Sequence, residues 1–470
     1  MTIARLAERL GAGELSPTEA TRAYLDRIEL LDPELNHYIT VLADEALAEA
    51  AARERDAKGD RGPLWGVPIG IKDVIDVAGA PTSAASKVFE RRNVPRADAA
   101  TVERLRRAGA VILGKLNTHE FAFGAMTTSP WPGPARNPWD TSRICGGSSG
   151  GSGGAMGADL AAGTLGTDTA GSIRIPAAVC GVTGLRPTTG RVSNRGVVPV
   201  SWTFDTVGPL CHTADDCAIV LEAIAGHDPG DPTTVDAPVP AYRAELARGV
   251  EGLRIGVLVE RFESGIVPGI AATVRAAVDR LAEAGAILEE VRLPNLEEAT
   301  IVQQLVMLPE AASVHRHRMR TQFADFGPDV RVRLLAGMLL PATAYVTGQR
   351  ARRTLYERIA PIFDRLDALV SPAFPIVPPP IGETDVEVDG VTMPYRLSFL
   401  VYQSPWSCLG LPALSTPAGF HEGMPVSMAA TGPRLGEGTL LRIAHALQQV
   451  TDWHARRPPL APAPSDDLIL

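Results

Sequence analysis

The chain has 470 residues, 45% hydrophobic and 21% charged, which is enough apolar content for a large core in one big domain or two to three smaller ones and excludes disorder as the main state. Its net charge is −9 and no long run of like charges occurs, so the sequence carries no electrostatic footprint for nucleic acid or an anionic membrane, and a small-molecule partner is expected. Five cysteines without a CxxC pair (Cys145, Cys180, Cys211, Cys217, Cys408) read as buried thiols rather than a disulfide or metal scaffold, and the absence of an apolar signal core or of a membrane-length apolar stretch places the chain in the cytoplasm.

Ser16-Pro17-Thr18-Glu19 is a capping box with proline at the first helical position, and Leu25, Ile28 and Leu31 behind it give an amphipathic helix ending before Pro33. A second helix is expected from Ala43 to Lys58. From Trp65 the run WGVPIGIKDVIDV is apolar and rich in β-branched residues, as in a buried strand with Lys72 at its end. Ala99 to Ala108 reads as a helix capped by Asp98, and Ala110 to Leu113 as a strand ending at Gly114-Lys115. This alternation predicts an α/β layered domain with a mixed sheet.

Cys145 to Leu185 is dense in glycine and serine. Residues 146 to 154 alone match a flexible linker, but Ala161 to Pro176 is patterned and apolar, so the glycines are expected where backbones approach closely or φ is positive. Thr164 to Thr167 reads as a strand, Asp168 to Gly171 as a tight turn, and Ser172 to Cys180 as a short helix. Beyond them, strand and loop are expected over 196–210, helix over 215–225, strand over 252–259, helix over 270–284 and strand over 286–291. Residues 296–366 read as mostly helical, followed by a strand at 368–370, a proline-rich loop at 372–380, helix near 405–409, strand near 413–417 and a final helix over 438–456.

The serines offer two nucleophile readings. Gly146-x-Ser148-x-Gly150 has the spacing of a nucleophile elbow, but the residues before it, Asn137 to Ser142, form a loop rather than the required strand. Ser172 instead sits on a turn where the backbone N–H groups of Thr169, Ala170, Gly171 and Ser172 point at one spot and can hold an oxyanion. A base is still needed. His119, His212 and His421 lie near suggestive motifs without a catalytic pattern, whereas a buried lysine with a depressed pKa can serve, and Lys72 and Lys115 both end apolar strands. Local pattern does not choose between them.

Gly146-Gly147-Ser148-Ser149-Gly150-Gly151-Ser152, Gly166 to Pro176 (GTDTAGSIRIP) and Cys180 to Thr188 resemble the amidase signature family. The resemblance extends to Gly66 to Asp73, Gly114 to Phe121, Arg136 to Asp140 and Gly410 to Ala413, strongly over about 60–225 and moderately over 395–456. It implies a single large layered α/β domain over 1–470, a mixed sheet with helices on both faces, and a variable, mostly helical substrate-side region at 226–394. It also implies a catalytic set of Ser172 as nucleophile, Ser148 preceded by a cis peptide bond, and Lys72 as base, leaving Lys115 structural, with no metal or cofactor required.

Asp168 and Arg174 match family positions expected to hold the turn. Met126, Thr127, Ser149, Ile173, Trp202 and Trp406 are substrate-binding candidates, Ser149 and Ser152 being expected rather to bond backbone; Phe123, Trp131, Phe204 and Tyr402 lie in the same family loops. Ala170 replaces a glycine common in the family. The implied function is hydrolysis of C–N bonds in aryl or aliphatic amides, extending to carbamates, urethanes and esters. The alternative is the amidase subunit of a tRNA-dependent amidotransferase, against which the acidic charge and the Val198 to Leu210 loop are weighed. A non-catalytic scaffold fits poorly with an intact Lys72, Ser148 and Ser172. The expected state is a monomer or homodimer, with a small amide, ester or carbamate as the only partner, and no nucleic acid or membrane.

Overall fold

Strands buried on both faces read as continuous apolar runs, and the structure, a computed structural model describing residues 1–55, 61–89 and 93–469, gathers eleven of its strands into one such sheet. In chain order the strands are β1 (Tyr38–Val41), β2 (Pro68–Lys72), β3 (Val111–Leu116), β4 (Arg136–Asn137), β5 (Asp140–Ile144), β6 (Gly163–Thr167), β7 (Thr183–Arg186), β8 (Val207–Cys211), β9 (Arg254–Leu258), β10 (Ile287–Val291), β11 (Ala368–Pro372), β12 (Asp385–Val388), β13 (Val391–Pro394), β14 (Ala413–His421) and β15 (Met424–Thr431). The large sheet runs β1-β3-β2-β6-β8-β7-β14-β15-β11-β9-β10, while β4-β5 and β12-β13 form two-stranded ribbons. Pairing is parallel within β3-β2-β6 and within β11-β9-β10, and antiparallel elsewhere. The result is the expected mixed sheet flanked by helices.

Several local expectations hold for the expected reasons. Ser16 Oγ accepts from Glu19 N and Glu19 Oε2 from Ser16 N, closing the capping box. That helix, Pro17–Leu35, runs through Pro33 rather than stopping before it, because a proline in the last turn forfeits only one backbone bond before the left-handed cap at Asn36. The next helix is Ala43–Arg55; the expected extension to Lys58 lies outside the described residues. Helices Glu298–Thr321, Pro328–Leu339 and Ala342–Ile359 fill the stretch read as helical.

Other expectations are corrected. Asp98 does not cap the helix Ala100–Arg107: its carboxylate accepts from Ala78 N and pairs with Arg106, and the N-cap is Ala99 without a side-chain bond. The glycines that match a linker by composition form a buried helix, Gly150–Gly157, and here the expected close approach of backbones is met. A Cβ on Gly151 would lie 2.5 Å from Asn117 N, and one on Gly154 would lie 2.2 Å from His37 Nε2, so glycine is what lets this helix press against its neighbours. The helix expected near 405–409 begins at Tyr395, and the strand near 413–417 is the long β14, paired with β15, which the sequence reading did not find. All five cysteines are buried free thiols. No helix among the described residues is long and apolar enough to cross a membrane.

Candidate active site

The carboxyl ends of the parallel neighbours β2 and β6 bring Lys72 and Thr167 together, the kind of strand end where open α/β sheets place their sites. Lys72 is fully buried, with Nζ 2.7 Å from Ser148 Oγ, 2.8 Å from Ser149 Oγ and 2.8 Å from Thr167 Oγ1. All three are uncharged hydroxyls. Burial pushes the Lys72 pKa well below that of a free lysine, and Asp168 and Asp205 offset this only at longer range. Lys115 is equally buried, but it has Asp73 Oδ1 at 3.2 Å, a carboxylate that favours its charged form. The two lysines that look alike in sequence therefore differ in their ion-pair partner.

Ser148 follows a cis Gly147–Ser148 peptide bond. Its carbonyl accepts from His119 N, Thr118 Oγ1 and Thr127 Oγ1 at 2.9, 2.9 and 3.2 Å, which pins the backbone and leaves the hydroxyl to Lys72. Ser172 precedes the helix Arg174–Cys180 rather than lying inside it, and its carbonyl accepts from Ser149 N. Among the described residues Ser172 Oγ has no hydrogen-bond partner, Ser148 included; Ser172 lines a cavity enclosing about 380 Å³ up to its open mouth.

The turn before Ser172 is built on Asp168. Its carboxylate accepts from Gly171 N at 2.7 Å, Ile173 N at 3.2 Å and Arg174 Nε and Nη2 at 3.0 and 3.1 Å, and also faces Arg186 Nη1 at 3.5 Å. These guanidiniums hold the carboxyl far below the usual carboxylate range against its burial. Gly171 N–H, counted among the oxyanion donors, is thereby committed to Asp168. The N–H groups of Thr169, Ala170 and Ser172 donate to nothing among the described residues, which leaves three donors without an acceptor around Ser172. Asp205, which sequence reasoning passed over, accepts from Thr169 Oγ1 at 2.6 Å, and burial raises its pKa to about 6. Gln303 Nε2 donates to Thr169 O, tying the same turn to the helix Glu298–Thr321.

The substrate-binding candidates do not assemble. Thr127 is spent on Ser148 O and Gly150 N, and Ser149 Oγ bonds Lys72 and Thr167 O. Ile173 is buried behind the turn with Met156 and Leu210, and Trp406 packs in the core with Leu258 and Leu369. Met126 packs beside the cluster of Ala125 and Tyr395, and Trp202, half exposed, lies in a separate recess with Asn194 and Pro199. The cavity is instead walled by Phe123, Ala170, Met307 and Leu400, with two guanidiniums, Arg333 and Arg396. Of the loop aromatics, Phe123 alone reaches it. His119 and His212 are tied to Asp329 and Asp159. Among the described residues no group of three His, Cys, Asp or Glu side chains is placed to hold a metal ion.

The model of the amidase family matches residues 19–441. The chain belongs to the amidase signature family. The A subunit of the glutamyl-tRNA(Gln) amidotransferase of Methylococcus capsulatus is 42% identical to this amidase over 97% of its chain and 98% of the relative. A solved structure described as a vestigial protein complex revealing the origins of an s-triazine catabolic enzyme matches with a TM-score of 0.91 and 35% identity, over 96% of this chain and 98% of the other. A bacterial aryl acylamidase of the amidase signature family matches with a TM-score of 0.88 and 25% identity, over 97% and 99% of the two chains. The amidase is thus an enzyme acting on C–N bonds.

The end-to-end match to one component of an amidotransferase corrects one expectation, that of a monomer or homodimer whose partners are small molecules alone with no nucleic acid. Net charge reports the summed field of one chain and carries no information about the chains beside it.

Proposed function

We propose that this chain is the amide-cleaving component of an amidotransferase, releasing ammonia from a carboxamide for a partner that works on a tRNA-borne substrate. The observation that carries the chemistry is a lysine that among the described residues has no ion-pair partner, buried against Ser148, with Ser172 opening on the cavity next door. The near full-length match to an amidotransferase component supports the assembly.

In this reading neutral Lys72 takes a proton from Ser148 as Ser148 takes one from Ser172, whose Oγ bonds the amide carbon. Free N–H groups of Thr169, Ala170 and Ser172 hold the oxyanion. Ser148 then protonates the leaving nitrogen, the C–N bond breaks, and water releases the acyl group from Ser172. The relay is completed when the Ser172 hydroxyl turns from the cavity toward Ser148, a closure that apo sites commonly leave to the substrate complex.

A second reading, hydrolysis of a small aryl or aliphatic amide, carbamate or ester without ammonia transfer, is favoured by TM-scores of 0.91 and 0.88 to the complex tied to an s-triazine catabolic enzyme and to the aryl acylamidase. The test is to purify the protein with the chains that accompany it in its host and to follow ammonia release together with amidation of glutamyl-tRNA. Amidation that requires Ser172 supports the first reading. Full turnover of p-nitroanilides or p-nitrophenyl carbamates by the chain alone, with no accompanying chain and no tRNA product, overturns it in favour of the second.

A further inference from the structure

The two guanidiniums in the cavity differ in how their charge is met. Arg333, on the helix Pro328–Leu339, donates from Nη2 to Asp329 Oδ2 at 2.5 Å and from Nε to Asp329 O at 3.1 Å, and lies 4.7 Å over the Phe123 ring. Arg396 is the second residue of the helix Tyr395–Leu409 and lines the same cavity, yet among the described residues it has neither a hydrogen bond nor an ion pair, and Asp329 acts on it only from beyond ion-pair distance. Its place in the first turn adds to the anomaly, because the free N–H groups there form the positive end of the helix and disfavour a cation. Burial lowers the pKa of both arginines, and with the Arg396 charge adding to burial that of Arg333 falls to about 10. A partly buried arginine held against the field of its own helix and of a second arginine is a site prepared for an anion.

The rest of the lining selects which anion-bearing molecule fits. No Asp or Glu is among the lining residues, and apart from the arginines the walls are largely apolar. An ammonium group brought in with the substrate would meet Arg396, unpaired among the described residues, and find no carboxylate lining the walls, the nearby Asp329 being taken up by Arg333. The enclosed part of the cavity measures only about 30 Å³, so the walls favour a short, slim ligand.

We propose that Arg396 binds a carboxylate of the substrate, and that the substrates are amides carrying a carboxylate but no ammonium group, the monoamides of short dicarboxylic acids. This rests on the amide-cleaving reading above and names its substrate class. Ser172 Oγ bonds the carboxamide carbon, the C–N bond breaks as ammonia leaves with the proton from Ser148, and water cleaves the acyl–Oγ bond, restoring the hydroxyl and releasing the dicarboxylate.

The experiment compares kcat/KM for glutaramate, for glutamine and for the uncharged valeramide in the parent, Arg396→Gln and Arg396→Lys. Glutaramate is expected to exceed both others in the parent. The glutaramate-to-valeramide ratio should fall about 10- to 100-fold in Arg396→Gln, mainly through KM, with part retained in Arg396→Lys. A ratio is independent of the folded fraction of a variant. Glutamine turned over as well as glutaramate, or a ratio unmoved in Arg396→Gln, overturns the proposal. Calorimetry with glutarate on Ser172→Ala separates it from the hydrolase reading: binding abolished by adding Arg396→Gln supports the proposal even where no ammonia is released, which would sink the hydrolase reading alone, and absence of glutarate binding overturns the proposal.

Discussion

Asp168→Asn is expected to unsettle both the fold and the catalytic turn. The carboxylate is the one acidic group within ion-pair distance of Arg174 and Arg186 among the described residues, and both guanidiniums are fully buried. Removing one partner of a buried pair costs about 3–5 kcal/mol, because the remaining charge has no water to turn to. The asparagine amide would also have to present N–H to neighbours that are themselves donors: Gly171 N, Ile173 N, Arg174 and Ser407 Oγ. About 4 kcal/mol is a large share of the roughly 5–15 kcal/mol that holds a domain together. Urea denaturation followed by fluorescence measures it, with Glu357→Gln as the control, since that carboxylate pairs with Arg353 on the open surface and its loss should leave the midpoint nearly unchanged. The substitution also flattens the acid limb of stability. A carboxyl whose folded pKa is depressed contributes stability that is present above its unfolded value near 3.8 and lost as pH falls toward the folded one. Because Gly171 loses its anchor, kcat should fall about 100-fold. An Asp168→Asn protein within about 1 kcal/mol of the parent would refute the reasoning.

Ser172→Ala should leave the urea midpoint unchanged and remove more than about 99% of turnover, the loss expected of a nucleophile. Lys72→Ala and Ser148→Ala should each cost several orders of magnitude in kcat, and the double variant no more than the worse single one; losses that multiply would show that the two groups do not act as one relay. Since burial holds the Lys72 pKa low and only its neutral form accepts a proton, kcat/KM should rise with pH along a limb that disappears in Lys72→Ala, then reach a plateau. Glu120, which accepts from Ser86 Oγ and Gly327 N, has a pKa raised by burial from 4.5 to about 7, so the folded state holds its proton longer than the unfolded state and stability should fall by about 3 kcal/mol between those values; Glu120→Gln should abolish that slope in urea midpoints taken across the range.

The sheet core and the Gly/Ser motif were legible because their signals are local: β2 and β3 are apolar runs, and Ser148 and Ser172 sit in short strings of fixed spacing. Lys72 and Lys115 were indistinguishable by local pattern, and separable only through the family resemblance, for the opposite reason. What separates them is Asp73 at 3.2 Å from one Nζ and hydroxyls around the other, a contrast made by how β2, β3 and the serine turn come together. The cavity wall was hidden in the same way. Met307, Arg333, Arg396 and Leu400 come from three helices, and helical periodicity tells which face is buried without telling which cavity it meets. Trp406 and Ile173 were attractive because they flank motifs, yet flanking residues are as often there to pack behind them. β15 escaped notice because Met424 to Thr431 is short-chained and lacks strong alternation, so only its pairing with β14 defines it.

The place of that hairpin has a consequence for how the molecule can be made. β14 and β15 lie between β7, finished by residue 186, and β11, finished by residue 372, and they join the two blocks of the sheet. Until residues 413–431 have left the ribosome, each block ends in a raw edge of unpaired N–H and C=O groups, the template on which strands of other chains add. A nascent chain therefore carries one adhesive border from about residue 186 onward and a second once β11 is made, and the insertion that seals both is among the last events. Chains broken off before the hairpin would retain every residue of the catalytic motifs and still be sticky fragments, with the keystone of the sheet missing.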